Sequence, residues 1–112
     1  MLNRSIAIVR VKAPFKEWLR SLPDSEDTTL QEINSDNSTY LLPTYELGYE
    51  QEEILRHFFE AIFEDQLNDW WTAEKDWPRK RTFETFRKWF DVELHSCVVD
   101  LVDEPLEDDK RT

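Results

Sequence analysis

The stretch from Phe58 to Phe90 reads FFEAIFEDQLNDWWTAEKDWPRKRTFETFRKWF. It holds four of the chain's five tryptophans (Trp70, Trp71, Trp77 and Trp89) and six of its seven phenylalanines. An aromatic side chain buries about 150–250 Å². In a chain of 112 residues, these rings therefore fill most of one core, or fill a core and leave some to line a groove for a partner. Ile54, Phe58 and Ile62, with neighbouring Phe59, Phe63, Leu67, Trp70 and Trp71, trace one apolar stripe and predict a long helix over residues 50–71. Glu52, Glu53, Arg56, Glu60 and Asp69 lie mainly off that stripe. Trp77-Pro78 interrupts the pattern. Thr82 then caps a second helix, with Phe83, Phe86 and Phe90 on one side and Trp89 beside them. On this reading Trp70, Trp71 and Trp89 seal the helix pair onto a sheet. Trp77, in a loop before Pro78, stays open between core and partner contact.

Toward the N-terminus, residues 5–12 are short and β-branched and predict a strand. Ile6 and Ile8 point one way; Ala7, Val9 and Val11 point the other. Apolar residues on both faces suggest a central strand. Pro14 suits a first helical turn, and Phe15, Trp18, Leu19 and Leu22 follow at helical spacing until Pro23 ends the segment. Residues 24–29 read as a polar loop. Leu30–Ile33 and Ser38–Leu42 are strand-like runs flanking the turn-rich quartet Asn34-Ser35-Asp36-Asn37, a hairpin pattern. Gly48, the one glycine, falls in the connector before the long helix. Toward the C-terminus, Glu93–Val102 reads as a last strand, and residues 104–112 as an acidic tail containing Pro105, frayed from a single domain over 1–103.

The order β-α-β-β-α-α-β implies an α+β chain. Its simplest form is a ferredoxin-like split βαββαβ antiparallel sheet with helices on one face, the second helix being followed by an extra one. The open face of such a sheet would carry Ala7, Val9 and Val11. A bare apolar sheet face calls for a cover, and a second copy of the chain is one candidate.

With 25 acidic and 14 basic residues the net charge is −11. That disfavours nucleic acid and anionic membranes. No run approaches the ~20 apolar residues of a membrane span. Ile6–Val11 is too short, and too interrupted by Arg10, for a signal peptide. Cys97 is alone, so no disulfide closes within the chain. The expected compartment is the cytoplasm. The charge is uneven. Lys75, Arg79, Lys80, Arg81, Arg87 and Lys88, against Asp76 and Glu84, make the window 75–88 +4 and the remainder −15. Such a window is either a solvated surface or a contact for carboxylates.

His95 and Cys97, two apart on the expected last strand, would share a face. With His57, the other histidine, and a carboxylate such as Asp91 or Asp100, they form the candidate set for a zinc or iron site or for a thiol enzyme. The spacing lacks paired ligands at each end, Asp100 points to the opposite face, and an i,i+2 pair lies about 7 Å apart along a strand. The competing reading makes Cys97 a small buried residue. Carboxylate pairs such as Glu52-Glu53 are too many to single one out, and one glycine cannot build a phosphate loop. No cofactor is implied. Trp and Arg are the residues that dominate interface energetics. The expected contact patch is therefore Trp77, Arg79, Lys80, Arg81 and Lys88, and the expected function a non-enzymatic protein-interaction module, active alone or as a dimer. The alternative is a metal- or thiol-dependent enzyme using His57, His95 and Cys97.

Overall fold

The first strand decides how the rest of the chain packs. A computed structural model describes residues 1–23 and 28–108. Most of the polar loop read over 24–29 and the end of the acidic tail lie outside the described residues. Strand β1 (Arg4–Val11) is central, and β2 (Thr39–Pro43) and β3 (Phe90–His95) pair antiparallel on either side of it, in the order β2-β1-β3. The registers run from Arg4 opposite Pro43 to Ile8 opposite Thr39, and from Ile6 opposite His95 to Val11 opposite Phe90. The first and last extended runs are thus neighbours, as the sequence implies.

Among the described residues, four α-helices complete this α+β fold: α1 (Ala13–Ser21), α2 (Leu30–Ile33), α3 (Glu50–Trp70) and α4 (Phe83–Trp89). β2 and β3 are both antiparallel to β1 and so run parallel to each other, with α3 and α4 carrying the chain across β1. Three acidic residues, Glu50, Glu52 and Glu53, occupy the first turn of α3, where the helix dipole favours them. The Thr82 hydroxyl accepts from Thr85 N at 3.2 Å and starts α4 as its position predicts.

The expected hairpin is absent. Leu30–Ile33 is one turn of helix because Thr29 caps it, its side chain accepting from Glu32 N at 3.1 Å. Thr-Leu-Gln-Glu is a capping-box sequence, and it outweighs the strand-like pair Leu30 and Ile33. With three strands among the described residues, the four-stranded ferredoxin-like sheet is not formed. The last strand also shifts. Phe90, Val92 and Leu94 face inward and Asp91, Glu93 and His95 outward, so it begins directly after α4 and ends seven residues before Val102.

Ala7, Val9 and Val11 are buried, the opposite of the open-face assignment. These small side chains leave room for the rings of the helical layer. Phe15, Phe63, Phe86 and Phe90 are the largest fully buried side chains. Their ring centroids lie 5.2 Å apart for Phe63–Phe90 and for Phe86–Phe90, and 5.5 Å for Phe15–Phe90, at tilted or perpendicular angles. Such pairs contribute about 0.5–1.5 kcal/mol each beyond the area they bury. The open face instead carries Ile6 and Ile8, beside Leu41 of β2. Trp70 departs from the expected seal: it is 40% exposed at the end of α3, where Trp71 turns extended and becomes half-buried in its place.

Candidate functional site

The segment between α3 and α4 is built around indole N–H groups. Trp18 Nε1 donates to the Asp76 carbonyl at 3.0 Å, and Trp71 Nε1 donates to the Asp76 carboxylate at 2.9 Å. Trp77 Nε1 donates to the Trp71 carbonyl at 2.7 Å. A short 3-10 turn over Glu74–Asp76 brings these acceptors round. Each buried indole is satisfied by a loop atom, so the loop is held in one conformation by groups that would cost stability if left unpaired.

This settles the position of two expected contact residues. Trp77 is 8% exposed and belongs to the core cluster, so its ring is not a contact surface. Arg81 is half-buried and occupied. Its Nη1 donates to the Pro78 carbonyl at 2.7 Å, its Nη2 lies 3.8 Å from Glu64, and its guanidinium stands 5.9 Å from the Trp77 ring centre. It ties the loop to α3. Arg79, Lys80 and Lys88 are exposed, and among the described residues none of the three makes an ion pair. Arg79 and Lys80 follow directly on the tryptophan-bonded loop, and Lys88 stands in the last turn of α4. Arg87, in the last turn of α4 beside Lys88, is likewise exposed. The Lys12 ammonium donates to its carbonyl at 3.3 Å, meeting the negative end of the short helix.

The His and Cys candidates do not converge. His57 is exposed on α3, its ring 4.7 Å from that of Phe58. His95 lies on the open face of β3, its Nε2 3.5 Å from Glu93, which also sits 3.5 Å from Arg10. The sheet separates the two imidazoles. Cys97 lies beyond the end of β3 and is exposed, so neither the shared strand face nor the buried role holds. Among the described residues, no three His, Cys, Asp or Glu are grouped to hold a metal ion.

Sequence reasoning missed a polar hollow between the start of β2 and the C-terminal half of α3, lined by Asp36, Ser38, Tyr40 and Asp65, with Asp69 and Trp70 on its continuation. Tyr40 donates to Asp65 at 2.6 Å and accepts from the buried Gln66 amide at 2.9 Å. Burial, and then the hydrogen bond to Asp65, push the Tyr40 phenol above its ordinary value. It is therefore a fixed donor and fastens β2 to α3. The partners are 25 residues apart in sequence, and no local pattern announces them.

Comparison of the chain with protein-family models, with curated proteins and with solved structures finds no match.

Proposed function

We propose that this chain is a small protein-interaction module whose ledge of Arg79, Lys80 and Lys88 receives an acidic segment of a protein partner. One observation carries the reading. In a chain of net charge −11, Arg79, Lys80 and Lys88 are among the exposed cations that make no ion pair with the described residues. The first two follow directly on a loop fixed by tryptophan hydrogen bonds. A rigid loop loses little entropy when it binds, and preorganisation of this kind converts contacts into affinity. The ledge's charge, opposite to that of the rest of the chain, sets orientation and speeds encounter.

The test is a fluorescence-anisotropy titration with a labelled peptide of alternating Glu and Leu, at low and at high salt. Wild-type protein binds it, and added salt weakens binding because exposed charges are screened. Arg79→Glu with Lys80→Glu abolishes binding while the far-ultraviolet circular dichroism stays unchanged. Absence of binding at low salt, or binding indifferent to the charge reversal, removes the ledge as the contact site.

A further inference from the structure

Apart from the cations, β3 offers a free edge: among the described residues it pairs with β1 alone. Along it runs a cleft of about 450 Å³, lined by Leu55, Val92 and Leu94 together with Tyr49, Gln51, Glu52 and Arg87. An unpaired strand edge beside a cleft with both apolar and polar walls is a setting in which an extended peptide adds to a sheet, main-chain bonds giving affinity and alternate side chains entering the cleft.

The chain carries a segment of matching chemistry. After β3 it continues without regular structure through Cys97-Val98-Val99-Asp100-Leu101-Val102-Asp103-Glu104-Pro105-Leu106. This run is rich in β-branched residues, yet Val99, Val102 and Leu106 are well exposed and Leu101 is 91% exposed. None of the described residues covers them. We propose that this tail of one copy adds as an antiparallel strand to the β3 edge of a second copy, and that the two copies exchange tails reciprocally.

Alternation and charge fix the register. Val99 and Leu101 lie on one face of an extended segment and Asp103 follows on the same face. Setting Val99 against Leu94 and Leu101 against Val92 puts both apolar side chains over the cleft. It carries Asp103 to the Phe90 end of β3, where Arg87 and Lys88 of α4 supply the opposite charge. Pro105, which has no N–H to donate, ends the ladder. Asp100 then falls opposite Glu93, a like-charge pair, offset by Arg10 at 3.5 Å from Glu93. Within the protomer the tail does not make this contact. Leu2 N donates to the Val98 carbonyl at 2.7 Å and holds the chain beyond β3 on the β1 side, away from the free edge. A reciprocal exchange closes with two-fold symmetry.

Sedimentation equilibrium of the full chain over the micromolar to millimolar range tests the exchange. Wild type shows a mass moving from one chain to two as concentration rises. Val99→Asp with Leu101→Asp alters only exposed side chains and stays at one chain. In a Cys97→Ser background, Leu94→Cys with Val99→Cys forms an intermolecular disulfide on oxidation. Arg79→Glu with Lys80→Glu leaves the dimer intact, so failure here and failure of the ledge are separate results. Wild type that stays at one chain overturns the proposal. So does a dimer that survives Val99→Asp with Leu101→Asp, which would place the contact on the open sheet face instead.

Discussion

The carboxamide of Asn34 stands against Val11 as a strand would: Oδ1 accepts from Val11 N at 2.9 Å, and Nδ2 donates to the Val11 carbonyl at 3.0 Å. β2 stops pairing at Thr39 opposite Ile8, so on that side Val11 is beyond the last rung of the ladder. One side chain supplies both bonds that the missing strand would have made. It also anchors the turn after α2, whose Asn37 side chain donates to the Asn34 carbonyl at 3.0 Å.

Asn34→Ala leaves the buried Val11 without both of these partners, and each group left unsatisfied costs about 1–3 kcal/mol. Asn34→Asp keeps the acceptor and removes the donor, so it falls between wild type and Asn34→Ala. Urea denaturation ranks the three, and hydrogen exchange at the Val11 amide accelerates in Asn34→Ala. Equal stability of wild type and Asn34→Ala would show that solvent replaces the carboxamide.

The tryptophans divide by burial, and substitution separates them. Trp77→Ala removes a core ring and the bond to the Trp71 carbonyl, and large-to-small aromatic changes in cores cost about 3–5 kcal/mol. Trp77→Phe keeps most of the ring but loses the 2.7 Å bond, leaving a buried carbonyl short of a donor at a cost of about 1–3 kcal/mol. Trp70→Phe, at the exposed end of α3, stays within about 0.5 kcal/mol of wild type. Thermal unfolding of the three variants gives the ranking. A Trp70 variant as damaged as Trp77→Phe would contradict the division.

What the chain announces locally, it announces well. The period of α3, the Thr82 cap and the centrality of β1 depend on residues within a few positions of one another. The features that escape sequence reading are decided at long range. Ile6 and Ile8 are as apolar as Val9 and Val11, and only the rings packing from the helices choose the smaller set as the inward face. Leu30–Ile33 suits a strand or a helix, and Thr29 with the Asn34–Val11 bonds selects the helix. Trp77 is buried because its indole finds the Trp71 carbonyl, a contact made by the turn of the loop and invisible in the pattern. Within the expected patch, the exposed Arg79, Lys80 and Lys88 are legible as surface charge, whereas the structural work of Arg81 rests on Pro78 and Glu64.

Cys97 supplies a prediction opposite to that of a core residue. It is exposed and past the end of β3. Cys97→Ala therefore changes stability by less than about 0.5 kcal/mol, the range of surface substitutions away from special features. In the native protein the thiol reacts with an aromatic disulfide reagent as fast as it does in the urea-unfolded chain, with no need of denaturant. Protection that only denaturant relieves would return Cys97 to the interior.

Tyr40 links stability to alkaline pH. Its phenol is raised in the folded protein above the ordinary value of 10.0, chiefly by burial and then by the hydrogen bond to Asp65. The unfolded chain therefore ionises first. The stabilisation is fully present below that ordinary value and is lost as pH climbs through it toward the folded value. Tyr40→Phe removes the donor to Asp65 and the acceptor for Gln66, at about 1 kcal/mol near neutral pH. The variant has no such group to titrate, so its stability falls less steeply than that of wild type above pH 10.0. Urea denaturation of both proteins at neutral and alkaline pH measures the two slopes. The ultraviolet difference titration between native wild type and variant shows little phenolate at pH 10.0. Parallel slopes together with early phenolate absorbance would mean that Asp65 and Gln66 do not hold the hydroxyl protonated.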